Sequence, residues 1–178
     1  ETFEYYEKIS KQDNRIKVCK FDINYFNYSA IVNYGVECSN GEYIVMLNND
    51  IEFITEDWIE QLLMYAQRPD VGICGAKLYF PDRSIQHAGV TLGTRGLAGH
   101  RCREVQEKDF KKDDYINIVQ DLSAVTAACF MVRKQLYIDM LGFDEKLAVA
   151  FNDVDFCMKI RTAKYLIVYN PFVEAYHY

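Results

Sequence analysis

The stretch from Glu42 to Glu52, Glu-Tyr-Ile-Val-Met-Leu-Asn-Asn-Asp-Ile-Glu, constrains the fold more than any other, because an apolar run stops there on two amides and a carboxylate. Tyr43 to Leu47 is too short for a packed helix, is rich in β-formers and follows the turn signal Asn40-Gly41, which predicts a buried central strand of the parallel type. Ligands of open α/β sheets gather outside the carboxyl ends of strands. Asn48, Asn49 and Asp50 therefore stand where chemistry is expected.

The flanking pattern agrees. Residues 16–21 alternate apolar and polar side chains and predict a strand, and Asn27 offers an N-cap to a helix carrying Ile31, Val32, Val36 and Cys38. Strand, helix and strand make a βαβ unit. Ahead of it, Phe3, Tyr6 and Ile9 recur at helical spacing and read as the last turns of an amphipathic helix. After Asp50, Thr55 is an expected N-cap for a helix burying Trp58, Leu62 and Tyr65 and ended by Pro69. Residues 71–74, 76–80 and 85–92 predict strands, with Pro81-Asp82 as a turn that leaves a hairpin open. From 93 to 121 the periodicity fades, with Gly93, Gly96 and Gly99 ahead of a charged run, and a long mobile lid is expected. Order returns over 122–132, then a short helix stops at Gly142. Asn152 or Asp153 caps a helix turning Phe156, Cys157, Ile160 and Ala163 inward, and a strand over 165–169 is broken by Pro171 before an extended end. The sum is one α/β domain over 1–178, a mixed, mostly parallel sheet flanked by helices.

Half the residues are apolar, enough for a substantial core, and the formal charge of −6 without a basic stripe excludes a nucleic-acid surface. An anionic substrate would then need a metal ion. No apolar stretch approaches the ~20 residues that span a bilayer, and no signal peptide is visible at the start. The six cysteines are scattered singly, which favours free thiols in a reducing compartment over disulfides or zinc, with Cys102 the candidate for exposure. Because the chain opens on Glu1 in helical pattern, it is expected to be a segment of something longer.

Asn49 and Asp50 can serve a hard divalent ion, which wants oxygen ligands and keeps positions open for phosphate, but Asn-Asn-Asp is equally good turn chemistry. Asn152-Asp153-Val154-Asp155 has the same two readings, site or cap. Asp153 and Asp155 lie two apart, so on a helix they face different sides and take different roles. His177 can ligate a metal through a neutral imidazole; His87 and His100 carry no stronger signal than any lone histidine. Nucleophile-elbow, Walker, dinucleotide-fingerprint and His-Glu-x-x-His motifs are absent, which sets those classes aside.

Taken together, Ser39-Asn40-Gly41-Glu42-Tyr43 running into Leu47-Asn48-Asn49-Asp50, then Ile85-Gln86-His87-Ala88-Gly89, Val125-Thr126-Ala127-Ala128-Cys129, Gly142-Phe143-Asp144-Glu145 with Asn152-Asp153-Val154-Asp155-Phe156-Cys157, and the terminal Tyr-His resemble family 2 glycosyltransferases. These are inverting nucleotide-sugar enzymes of the GT-A fold, and the likeness is strongest to their bacterial, rhamnosyltransferase-like branch of polysaccharide biosynthesis. The resemblance implies that Asp50 and His177 hold Mn²⁺ or Mg²⁺ against the donor diphosphate, with Asn48 and Asn49 beside the nucleotide. It makes Asp153 the base that deprotonates the acceptor hydroxyl, and Thr126, Ala127 and Asp155 part of the acceptor site. A nucleotide sugar and a glycan or lipid-linked acceptor are the implied partners, in the cytoplasm or at the inner face of the membrane.

Asn48 stands where the family has its first Asp, Ala127 where Gly is usual, and Asn152 where Glu is usual. The family's N-terminal nucleotide-binding strand is expected ahead of Glu1, so the chain alone is expected to fold over 16–178, to self-associate at the unpaired edge and not to turn over a donor. Two other readings use the same residues: a non-catalytic sugar-binding or scaffolding module, and a metal-dependent nucleotidyltransferase.

Overall fold

The computed structural model describes residues 2–22, 24–93, 97–111 and 114–178. Glu1, Gly96 and the other remaining positions of the expected lid lie outside the described residues. The elements in order are α1 (Thr2–Gln12), α2 (Tyr28–Cys38), β1 (Tyr43–Leu47), β2 (Ile51–Phe53), α3 (Trp58–Ala66), β3 (Val71–Tyr79), β4 (Ile85–His87), β5 (Val90–Leu92), β6 (Ala98–His100), β7 (Gln120–Asp121), β8 (Cys129–Arg133), α4 (Lys134–Asp139), α5 (Asn152–Thr162) and β9 (Leu166–His177). The main sheet runs β1-β8-β3-β9-β2, with β4 on β3 and β7 on β9, while β5 and β6 form a separate small ladder.

Mixed sheet and flanking helices are as expected, but the strand directions correct the reading in two places. β1 pairs antiparallel with β8 and has no strand on its other side among the described residues, so it is an edge and not the centre. Among the described pairings only β3 with β9 is parallel. β1 and β3 do run the same way, as a βαβ unit requires, but β8 is inserted between them and runs against both. The centre is β3, buried along its whole length. Its Gly75 permits this, because a Cβ there would stand 2.7 Å from that of Val125.

One core layer joins Ile73, Phe130, Phe143, Phe156 and Ile160; the other packs Leu62 and Ala66 of α3 on Val71, Leu78 and Met131. Helix α2 starts as predicted, with the Asn27 side chain accepting from the amide of Ala30. Thr55 does not cap α3. Its hydroxyl donates to the carbonyl of Phe172 at 2.9 Å and accepts from the amide of Glu174 at 3.0 Å, tying the strand-to-helix turn to β9.

The strand expected over 16–21 does not form. No ladder partner reaches it, Ile16, Val18 and Phe21 stay exposed, and the segment leans on α2 by stacking Phe21 on Tyr34. α1 is helical but buries none of its residues. The predicted break at Pro171 is absorbed as a register shift: Ala76 faces Asn170 while Lys77 already faces Glu174. The ring's missing N–H thus falls in a bulge, and β9 continues.

The expected mobile lid is largely folded where it is described. β6 pairs with β5, 3-10 turns form at Glu107–Asp109 and Tyr115–Asn117, β7 joins the sheet, and Ile116 is fully buried. What holds it is polar as well as apolar. Buried Lys77 pairs with Glu174 at 2.8 Å, and Tyr79 donates to both Glu174 and Glu107, an ionic cluster that composition cannot reveal. All six cysteines are free thiols, and burial pushes those of Cys129 and Cys157 up to about 12.

Because β1, β3 and β9 share one direction, the carboxyl ends of β1 and β9 meet at one rim of the sheet. The turn that feeds β8 reaches the same rim, since Leu47 pairs with Cys129 and the amide of Asn48 donates to the carbonyl of Ala128 at 3.0 Å.

Candidate active site

Two carboxylates reach this rim from opposite directions. Asp50 follows β1, and the antiparallel register of β2 on β9, Ile51 against His177, carries the terminal histidine back to it. His177 Nε2 lies 3.1 Å from Asp50 Oδ1. Gln86 fixes the tautomer: its Nε2 donates to the His177 carbonyl at 3.0 Å, which leaves its Oε1 to accept from the ring Nδ1–H at 2.5 Å. The proton held by Gln86 is thus the one on Nδ1, and Nε2 is the ring nitrogen that faces Asn48 and the Asp50 carboxylate.

Asn48 completes the corner without charge. Its amide nitrogen lies 3.2 Å from His177 Nε2, and its oxygen accepts from the Tyr28 hydroxyl at 3.2 Å. Asn49 is exposed beside it, on a groove between α2 and the free edge of β1. An imidazole nitrogen and a carboxylate oxygen 3.1 Å apart suit neighbouring positions on one hard ion, whose octahedral ligands at ~2.1 Å stand about 3 Å from one another. Among the described residues no three His, Cys, Asp or Glu side chains converge, so such an ion would take its other ligands from phosphate and water.

The second carboxylate is Asp153, in the first turn of α5. Phe151, in the left-handed region at φ 64, starts that helix, so neither Asn152 nor Asp153 is its cap as expected. Asn152 instead bonds the carbonyl of Leu147 and the amide of Asp153. Asp153 accepts from the amides of Val154 at 2.8 Å and Ala127 at 3.2 Å. Asp153, Thr126, Ala127, Asn48 and His177 share one cleft of about 300 Å³.

Asp155 does not join them. It faces along the helix to Lys159 at 3.1 Å, and the two-residue spacing that separated its role from Asp153 also carries it out of the cleft. Ala127 is buried with its methyl accommodated, and Thr126 uses its hydroxyl to accept from the amide of Ala128 at 3.4 Å.

Four residues without a strong sequence signal prove structural to the site: Tyr28, Gln86, His87 and His100. Burial first, and then the charge of Asp153, pushes the Tyr28 hydroxyl up to about 12, so it is a hydrogen-bond donor at neutral pH. His87 is 1 % exposed; its Nε2 accepts from the amide of Thr126 at 3.3 Å and its Nδ1 lies 2.9 Å from Nδ1 of His100. The glycine two residues on, Gly89 at φ 90, makes the turn between β4 and β5, where a Cβ would stand 2.1 Å from Leu122. The legible signal was the Ile-Gln-His-Ala-Gly string itself, read as a resemblance and not as a contact set.

Burial, and then the neighbouring His100 and His177, hold His87 well below an ordinary histidine. An unfolded chain takes up a proton near pH 6.5 that the folded chain refuses, so stability present above about 6.5 is lost as pH falls towards the folded value, by up to ~1.4 kcal/mol per pH unit for one such group. Urea unfolding of His87→Phe should show a shallower loss between pH 6.5 and 5 than the parent; parallel curves would refute it.

The fold and this rim define a GT-A glycosyltransferase domain, and the comparisons with known proteins agree. The model of Glycosyl transferase family 2 matches residues 1–141, and the chain belongs to that family. The match stops short of Asp153 and His177. The chain is 41 % identical over its whole length to an uncharacterized protein, y4gI, of Sinorhizobium fredii (strain NBRC 101917 / NGR234), covering 20 % of it. It is 36 % identical over 136 residues, 76 % of the chain, to the O-antigen biosynthesis protein RfbC of Myxococcus xanthus, covering 11 % of it. It therefore spans a fifth or less of the curated relatives it matches. The crystal structure of GalNAc-T7 with UDP, GalNAc and Mn²⁺ superposes with a TM-score of 0.77 over 98 % of this chain and 34 % of that one, at 13 % identity. Among the described residues no helix is long and apolar enough to cross a membrane.

Proposed function

We propose that this domain transfers a sugar from a nucleotide-diphosphate donor to an acceptor hydroxyl with inversion, Asp153 acting as general base and Asp50 with His177 holding a divalent cation. The observation that carries it is the separation of two stations: His177, which lines the cleft and is backed by Asp50 at 3.1 Å on the strand ends, and Asp153 on α5 across the same cleft. Single displacement at the anomeric carbon needs that division. The acceptor oxygen gives its proton to a carboxylate as it forms the new bond, while the diphosphate departs on the other face with the anomeric bonding pair. When bound, Mn²⁺ or Mg²⁺ would offset the charge on that leaving group.

Asn48 and Asn49 point to the nucleotide side, and the groove along α2 and β1 offers room for the nucleoside. Among the described residues β1 has no strand on its other side, an edge that a further strand or a second copy could pair with. Support for the donor class comes from the fold neighbour holding UDP and Mn²⁺, and for a glycan or lipid-linked acceptor from the relative named for O-antigen biosynthesis. Six free thiols favour a reducing, cytoplasmic setting, with membrane-bound acceptors met at its inner face.

Phosphorus NMR of the full-length protein incubated with Mn²⁺, octyl glycoside acceptors and a panel of nucleotide sugars tests the reading. Free nucleoside diphosphate without sugar 1-phosphate is expected. Sugar 1-phosphate, the group left behind when the nucleotidyl group is the one transferred, would instead indicate a nucleotidyltransferase, and an unchanged spectrum with every donor would leave a binding module.

A further inference from the structure

We propose that His100 contacts the acceptor, donating a hydrogen bond from Nε2–H beside Asp153, and that His87 sets it in that state. The inference rests on the glycosyl-transfer reading but is carried by separate contacts. His87 is enclosed, and Thr126 offers it an N–H that only a bare Nε2 can accept, at 3.3 Å. The His87 proton is therefore on Nδ1. At 2.9 Å from Nδ1 of His100, it can only be donated, which makes that nitrogen the acceptor and moves the His100 proton to Nε2. The ring planes are inclined at 78°, which leaves the two Nδ1 atoms facing each other without ring stacking. Burial keeps both below the ordinary histidine range, so both are neutral at pH 7.

The place of His100 gives that N–H a use. A second cavity, about 320 Å³, lies against Asp153 and is lined by His100, Val90, Phe151, Asn152 and Val154, and none of the metal-corner residues reach it. Asp153 thus stands between a cleft that holds His177 and a cavity that holds His100. Inversion brings the nucleophile from the face away from the diphosphate, so this cavity suits the acceptor. The attacking hydroxyl spends one lone pair on carbon and its proton on Asp153, and a donor on its remaining lone pair would lower its nucleophilicity. His100 Nε2–H then bonds a neighbouring oxygen of the acceptor, which selects a sugar with a hydroxyl vicinal to the one that reacts. The successive amides of Thr126 and Ala127 hold His87 and Asp153 respectively, so one turn fixes base and donor together.

The test has two arms. Long-range ¹H–¹⁵N spectra of the histidine rings in the 178-residue chain at pH 7.5 should show His100 protonated at Nε2 and His87 at Nδ1, and His87→Phe should return His100 to a mixture of tautomers. A parent His100 protonated at Nδ1, or one unmoved by His87→Phe, would overturn the pairing. In the full-length protein, with octyl hexosides and their single deoxy analogues as acceptors, His100→Ala should raise acceptor KM about tenfold, the loss of one hydrogen bond, with partial rescue by His100→Gln. One vicinal deoxy analogue should be as poor for the parent as the intact glycoside is for His100→Ala. An unchanged acceptor KM, or donor hydrolysis with no transfer to any glycoside, overturns the acceptor role. A parent that consumes no donor refutes the transfer reading instead, while the spectra still decide the histidine pair.

Discussion

Asp153→Asn in the full-length protein is expected to cut transfer ~100-fold or more while donor binding is kept, the signature of a lost general base. The substitution is nearly isosteric, and with its amide oxygen turned to Ala127 the turn before β8 keeps its anchor while the bond from Val154 is given up. What is lost is the ability to take a proton. Asp155→Asn supplies the control, because its carboxylate pairs with Lys159 outside the cleft and its loss should cost transfer little. Initial-rate kinetics with acceptor in excess separate the two, and a silent Asp153→Asn beside a crippled Asp155→Asn would reverse the assignment.

Removal of either side of the metal corner should be comparably severe in binding. Calorimetry of Mn²⁺ in the presence of a nucleoside diphosphate is expected to show saturable binding in the full-length protein and none measurable in Asp50→Ala or His177→Ala. Two protein ligands leave no redundancy, since among the described residues no third acidic, histidine or cysteine side chain converges there. Gln86→Leu gives a finer reading. It removes the acceptor that keeps the His177 proton on Nδ1, and the loss of such an orienting partner weakens metal affinity by ~10–100-fold without deleting a ligand. Parent-like binding in all three would show that the corner does not hold the ion.

Neutral residues explain how the corner tolerates Asn48 where the family has Asp. The amide bridges Tyr28 and His177, so it positions the imidazole nitrogen in place of adding a charge. The same economy governs α5, where Asn152 replaces a carboxylate and is used on the carbonyl of Leu147 and the amide of Asp153.

The sequence by itself determined the α/β class, the strand that ends on Asn48 to Asp50 and the Asn27-capped helix before it, and it put forward Asp50, Asp153 and His177 as candidates, because local pattern and family motifs are properties of neighbouring residues. It misplaced β1 at the centre and the ladder as mostly parallel, because strand order depends on β8, which enters between β1 and β3 from far along the chain, at Cys129–Arg133. It left 16–21 as a strand, since alternation marks a capacity to pair and not the presence of a partner. It read the region after Gly93 as a lid, although Lys77, Tyr79, Glu107 and Glu174 tie its described part to the sheet. Only the tertiary structure decided that Gln86 orients His177, that Thr126 and Ala127 hold His87 and Asp153, and that Asp155 stands aside. Each of those choices rests on hydrogen bonds between residues far apart in the chain, whose donors and acceptors are specified by type in the sequence but matched only by the fold.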